Sequence, residues 1–186
     1  ARNAHLRRLL LVIIAHASQN LESLQRTYSE LRWADQLVPL LRAEQVSSVR
    51  AACMLACSSL CRGHPRCSAE FINAGGFAVI EELVTLHHAD DPKTVARALR
   101  LVAYFTEIKV STKTMIGRMC ELLLHEKEEV ANAAALCVIA LIKVQPDRGE
   151  KLKRSSEALK RAISRWTSDR SCLSEEQLDV LSALKL

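Results

Sequence analysis

Apolar residues recur along this chain at three- and four-residue spacing, the period of one face of an α-helix, and almost nowhere at the alternating spacing of a strand. Four stretches stand out. Leu6 to Ala17, Val49 to Cys61, Thr94 to Phe105 and Val130 to Ile142 are long, rich in Ala and Leu, and apolar on most sides. That pattern predicts helices packed between neighbours. Shorter periodic segments lie between them: Leu21 to Leu31, Asp35 to Leu41, Cys67 to Asn73, Phe77 to Leu86 and Lys113 to His125. The breaks have recognisable chemistry. Asp91-Pro92 fits an N-cap followed by proline at the first helical position. Gly63-His64-Pro65 and Gln145-Pro146 each end one helix and start another, and Gly75-Gly76 fits a sharp corner. Ser174 to Gln177 reads as a capping box opening a last helix, Glu175 to Leu184.

The long segments are copies of one unit. Aligned on Leu6, Val49, Thr94 and Val130, they start 43, 45 and 36 residues apart, the period of three-helix solenoid repeats. Apolar or small residues then fall at offsets 4, 8 and 11. These are Leu10, Ile14 and Ala17, then Cys53, Cys57 and Leu60, then Ala98, Val102 and Phe105, and finally Ala134, Val138 and Leu141. A lone three-helix unit cannot bury its apolar faces, so successive units must stack.

Composition removes several alternatives. With 186 residues, 49% apolar and 25% charged, the chain can bury a core and is too apolar to be disordered. Five Gly and four Pro leave few turns for a many-stranded β fold. The longest apolar run, Ala133 to Ile142, is ten residues, about half of a membrane span. No secretory signal is visible. The net charge of +5 is local: residues 148 to 170 hold eight basic and three acidic side chains, and the remainder balances. This reads as a solvated helix face, with an acidic protein, lipid or nucleic acid as the alternative occupant. Seven aromatic residues are too few for a stacking surface, so nucleic acid is disfavoured.

Seven cysteines, an odd number, favour a reducing compartment. Cys53, Cys57 and Cys61 repeat every four residues and read as small core residues on one helical stripe. Cys57, Cys61, His64 and Cys67 lack the CxxC spacing of a tetrahedral thiolate site. The cluster His87, His88, Asp90 and Asp91 is explained by preferences at a helix end and the next N-cap. There is no P-loop, GxSxG or HExxH motif, so no enzyme activity, metal or cofactor is expected.

The segment from Phe71 to Phe77, followed by an apolar helix and then Thr94 to Leu99, resembles armadillo repeats. Ala17 to Asn20 closing a long helix, Val49 to Ala52, the Cys61 to Pro65 turn and Glu70 to Ile72 before Gly75-Gly76-Phe77 are similar to the armadillo-type nucleotide exchange factors of DnaK-type chaperones. The resemblance spans roughly residues 6 to 145. It implies an all-α, right-handed armadillo-like superhelical solenoid of about three to four helical repeats, with residues 1–145 as the repeats and 146–186 as a continuous C-terminal helical cap. It also implies a monomeric co-chaperone that grips the ATPase domain of a DnaK-type chaperone and promotes ADP release. The alternative is a general armadillo scaffold with no chaperone link. The compartment would be the cytoplasm, or alternatively the endoplasmic-reticulum lumen, with no membrane contact.

A solenoid binds through the face lined by its long helices. Offsets 3, 6, 10 and 13 should line it. They give Leu9, Val12, His16 and Gln19; Ala52, Leu55, Ser59 and Arg62; Arg97, Arg100, Tyr104 and Glu107; and Ala133, Leu136, Ala140 and Lys143. Armadillo importers of nuclear cargo carry Trp at the second and Asn at the third of these positions, a ladder absent here. Arg and Tyr are frequent interface anchors. Arg97, Arg100, Tyr104 and Glu107 are therefore the expected partner-binding residues, extended by Arg62, Ser59 and His16.

Overall fold

A computed structural model describes residues 2–19, 21–86, 91–105, 113–144, 152, 156–168 and 174–183, and the statements below concern those residues. They form eleven helices: α1 (Arg2–Ser18), α2 (Glu22–Glu30), α3 (Trp33–Ala43), α4 (Ser47–Cys61), α5 (Pro65–Asn73), α6 (Gly76–Leu86), α7 (Pro92–Phe105), α8 (Lys113–Leu122), α9 (Glu128–Val144), α10 (Glu157–Ser168) and α11 (Glu175–Ala183). The chain divides into two compact units, Ala1–Leu101 and Val102–Leu186.

In the first unit α1 lies along α4, the shorter helices α2, α3 and α5 pack on α4 and on one another, and α6 packs on α3 and α5. α4 is enclosed because its small residues allow close approach from several sides. Val49, Cys53, Met54, Ala56, Cys57 and Leu60 are all buried. The expected turn chemistry is present. His64 Nδ1 accepts the Cys67 N–H at 3.2 Å, capping α5, and Pro65 follows at its first position. Gly75 turns the chain with φ of 81°, a conformation glycine adopts without strain. Asp91 caps α7 by accepting from Thr94 N at 3.2 Å and Thr94 Oγ1 at 2.6 Å. Its Oδ2 also meets Arg50 Nε of α4 at 3.4 Å, in a pair almost closed to solvent.

In the second unit α9 packs against α8 and α11, and α10 packs against α8. α10 docks through Leu159, Ala162 and Trp166, a buried stripe at helical spacing inside the basic segment. Ser174 N donates to Gln177 Oε1 at 3.0 Å and Gln177 N to Ser174 Oγ at 3.3 Å, the reciprocal bonds of a capping box. Gln145-Pro146 and the His87, His88 and Asp90 cluster lie outside the described residues.

The stripe at offsets 4, 8 and 11 is core in α4, α7 and α9, where all nine residues are buried. α1 departs from it: Leu10 is exposed and Ile14 and Ala17 are half-buried. The departure has a physical cause, since α1 is stacked on α4 with its far side uncovered. Leu60, with no exposed surface, is a direct check of this packing. Leu60→Ala is expected to cost about 2–5 kcal/mol in chemical denaturation.

Candidate protein-binding face

On α1, His16 and Gln19 are exposed and Val12 is half-buried. On α4 the expectation fails at two positions. Ala52 and Ser59 are buried, and the Ser59 carbonyl accepts Gln25 Nε2 at 3.0 Å. The same Gln25 amide reaches the Arg62 carbonyl at 3.0 Å. Gln25, buried on α2, thus satisfies two of the carbonyls that the end of α4 leaves without helical partners. Ser59 is therefore part of the α2–α4 joint and not of the exposed side where the sequence placed it. Arg62, which ends α4, is exposed.

On α7, Arg97 and Arg100 have different roles. Arg97 is half-buried, and its Nη1 donates to the Ala51 carbonyl of α4. It ties two long helices together, so the anchor role expected of it is at least shared with a structural one. Arg100 is exposed and makes no ion pair among the described residues. Tyr104, one turn later on the same helix, is 38% exposed. Glu107 lies outside the described residues. On α9, Ala133 is buried, Leu136 and Ala140 are half-buried, and Lys143 is exposed. Of the expected anchors, His16, Arg62, Arg100 and Tyr104 thus reach solvent. Sequence reasoning missed Gln25 and the Arg97–Ala51 tie, because both join residues more than thirty positions apart.

Among the described residues no three His, Cys, Asp or Glu side chains group as metal ligands. Cys53, Cys57, Cys61, Cys67, Cys120 and Cys137 are buried thiols outside any disulfide. The Cys57 thiol is held well above its ordinary range by a hydrogen bond with Cys53 and by burial. Burial also raises the Cys61, Cys120 and Cys137 thiols and pushes Cys67 up to about 11. A thiol kept protonated and covered is a packing element and a poor nucleophile.

Comparison with solved structures identifies the architecture. A designed armadillo repeat protein in complex with the peptide (KR)4 aligns with a TM-score of 0.64 over 96% of this chain and 90% of its own, at 16% identity. Computationally designed armadillo repeat proteins for modular peptide recognition align at 0.62 over 94% and 90%, also at 16% identity. An engineered protein reaches 0.69 over 98% and 91%, at 17% identity. At such identity the likeness is one of fold: the chain is an all-α, armadillo-like solenoid. No family model matches the sequence, and no curated protein does.

Proposed function

We propose that this chain is a non-enzymatic binding protein that recognises another protein or peptide through the outward side of its long helices. The observation that carries this reading is the exposure of His16, Arg62, Arg100 and Tyr104 on successive long helices of an armadillo-like fold. Two of its structural neighbours are designed for, or complexed with, peptides. One of those designs is in complex with the basic peptide (KR)4, whereas the exposed charged side chains Arg62 and Arg100 of the first unit are themselves basic. A guanidinium fork suits carboxylates, so the favoured partner is acidic. The test is fluorescence anisotropy with an Asp/Glu-rich peptide. Arg100→Glu is expected to weaken binding about tenfold, near the lower end for a hydrogen bond to a charged group. Its stability should stay within about 0.5 kcal/mol, as at an exposed site. Unchanged binding would remove Arg100 from the face, and a large stability loss would make it structural.

A narrower reading places the partner as the ATPase domain of a DnaK-type chaperone. It rests on the segments Ala17 to Asn20, Val49 to Ala52, Cys61 to Pro65 and Glu70 to Phe77. A factor that holds the open arrangement of that domain better than the closed one must, by linkage, lower its affinity for nucleotide. Release of a fluorescent ADP from such a domain, with and without this chain at saturation, decides between the two readings. No acceleration leaves the general scaffold. Six buried cysteines among the described residues that form no disulfide favour a reducing compartment, the cytoplasm rather than the endoplasmic-reticulum lumen. No helix among the described residues is long and apolar enough to cross a membrane. We also propose that residues 146–186 act as a helical cap on repeats 1–145, with α10 and α11 as its helices.

A further inference from the structure

A cleft of about 400 Å³ opens between the corner that joins α2 to α3 and the outer side of α5. That volume lies within the range of small-ligand sites, about 300–1,000 Å³. Three carboxylates, Glu30, Asp35 and Glu70, face two guanidinium groups, Arg32 and Arg66, so its walls carry one excess negative charge on a chain whose net charge is +5. Both arginines are already engaged. Arg32 Nη2 meets Asp35 Oδ2 at 2.7 Å, and Arg66 Nε meets Glu70 Oε1 at 3.2 Å. The acceptors are less well served. Glu70 Oε1 takes Ser29 Oγ as well as Arg66, while Glu70 Oε2 has no donor and is closed to solvent. The Glu30 carboxylate and the Asn73 amide have no hydrogen-bond or ionic partner among the described residues. A carboxylate oxygen without water or donor is costly, and its field is screened less than it would be in water.

We propose that this cleft binds a guanidinium group, carried by a small molecule or by an arginine side chain of another protein. One monocation cancels the excess charge of the walls, whereas an anion would add to it and a neutral ligand would leave it. The three carboxylates line one cleft yet do not group as metal ligands. The cation must therefore be extended and offer donors in more than one direction. A guanidinium does so, with its N–H donors arranged in a planar fork that matches carboxylates, where an ammonium is a compact point charge. It can serve the Glu30 carboxylate and the Asn73 carbonyl together while lying in the field of Glu70. None of the lining residues belongs to the proposed binding face, so either assignment survives failure of the other.

Amide NMR shifts of the whole chain provide the test. The probe is n-butylguanidinium, titrated to about 20 mM at constant ionic strength, since millimolar affinity is the scale for so small a ligand. Saturable shifts are expected within residues 29–35 and 66–74, which line the cleft. The neutral isostere n-butylurea should produce none. Glu30→Gln, a change at an exposed side chain, should weaken binding at least about threefold while the melting point holds. Absence of saturation, shifts centred elsewhere, equal binding of n-butylurea, or binding indifferent to Glu30→Gln each overturns the proposal. N-acetyl-arginine amide separates the two sources. Binding as tight as that of n-butylguanidinium assigns the cleft to arginine in a protein chain, and binding of n-butylguanidinium alone assigns it to a free small molecule.

Discussion

Replacing Phe71 with alanine is expected to lower the unfolding free energy of the first unit by about 3–5 kcal/mol, the range for a fully buried aromatic side chain. Phe71 has no exposed surface, and its ring stacks on Trp33 of α3 with centroids 6.0 Å apart and planes 14° from parallel. It also fills the space that Gly76 leaves at the start of α6. A Cβ on Gly76 would lie 2.4 Å from Phe71 Cε1, far inside contact distance. One ring thus joins α3, α5 and α6, and its removal opens a hole that three helices must close together. The same geometry makes a sharper prediction. Gly76→Ala alone should destabilise by about 1–3 kcal/mol through overpacking, despite the helix propensity that alanine gains. In the Phe71→Ala background the new methyl enters the vacated space, and Gly76→Ala should become neutral or stabilising. A double-mutant cycle by urea denaturation reads this coupling directly. Additive effects would mean that the ring and Gly76 do not share one packed site.

Trp33, Phe71 and Gly76 also show which parts of the fold a sequence carries. Gly75-Gly76 is legible as a corner because glycine's freedom at positive φ is a local property. The caps at His64, Asp91 and Ser174 are legible for the same reason, since each bond closes within three residues. Helix starts are less so. The observed α4 and α9 begin at Ser47 and Glu128, two residues before the first apolar position, because a polar first turn carries no burial signal. The turn between α2 and α3 has no Gly, Pro or Asn, and Arg32 takes the left-handed conformation at φ of 52°. In α10 the charge excess of residues 148 to 170 hides the Leu159, Ala162 and Trp166 stripe that docks the helix. The proposed binding face is the least legible part. Helical phase places Ser59 and Arg97 outward, but the residues that cover or tie them, Gln25 and Ala51, come from other layers of the solenoid. Exposure in a repeat protein depends on neighbours about forty residues away, which local periodicity does not contain. The same limit explains α1, whose repeat pattern matches the buried helices although Leu6, Leu10 and Ile13 are exposed.

Raising the pH above 9 is expected to unfold the first unit far more steeply than an ordinary helical protein of this size. Cys57, Cys61 and Cys67 all lie in that unit, buried, with their thiols held above the usual range. In the unfolded chain each titrates near about 8.5. Between that value and the native one, the unfolded state has lost a proton that the native state keeps. The unfolded state then binds fewer protons, so stability falls with pH. The contribution is fully present below the unfolded value and is lost as pH climbs toward the native value, about 11 for Cys67. Each thiol contributes about 1.4 kcal/mol per pH unit, and three together give a slope of about 4 kcal/mol per unit. Against a typical total of roughly 5–15 kcal/mol, a slope of about 4 kcal/mol per unit would exhaust the margin in about one to four pH units. The second unit, where burial raises Cys137 and Cys120, should follow a shallower slope. Each unit holds one tryptophan, Trp33 or Trp166, so the two slopes can be read separately by fluorescence in Trp166→Phe and Trp33→Phe variants under reducing conditions. Cys57→Ala should flatten the first slope by about 1.4 kcal/mol per pH unit and leave the second unchanged. A first-unit slope that ignores Cys57→Ala would show that its thiol already ionises in the folded state, and the enclosed α4 core described above would then be wrong.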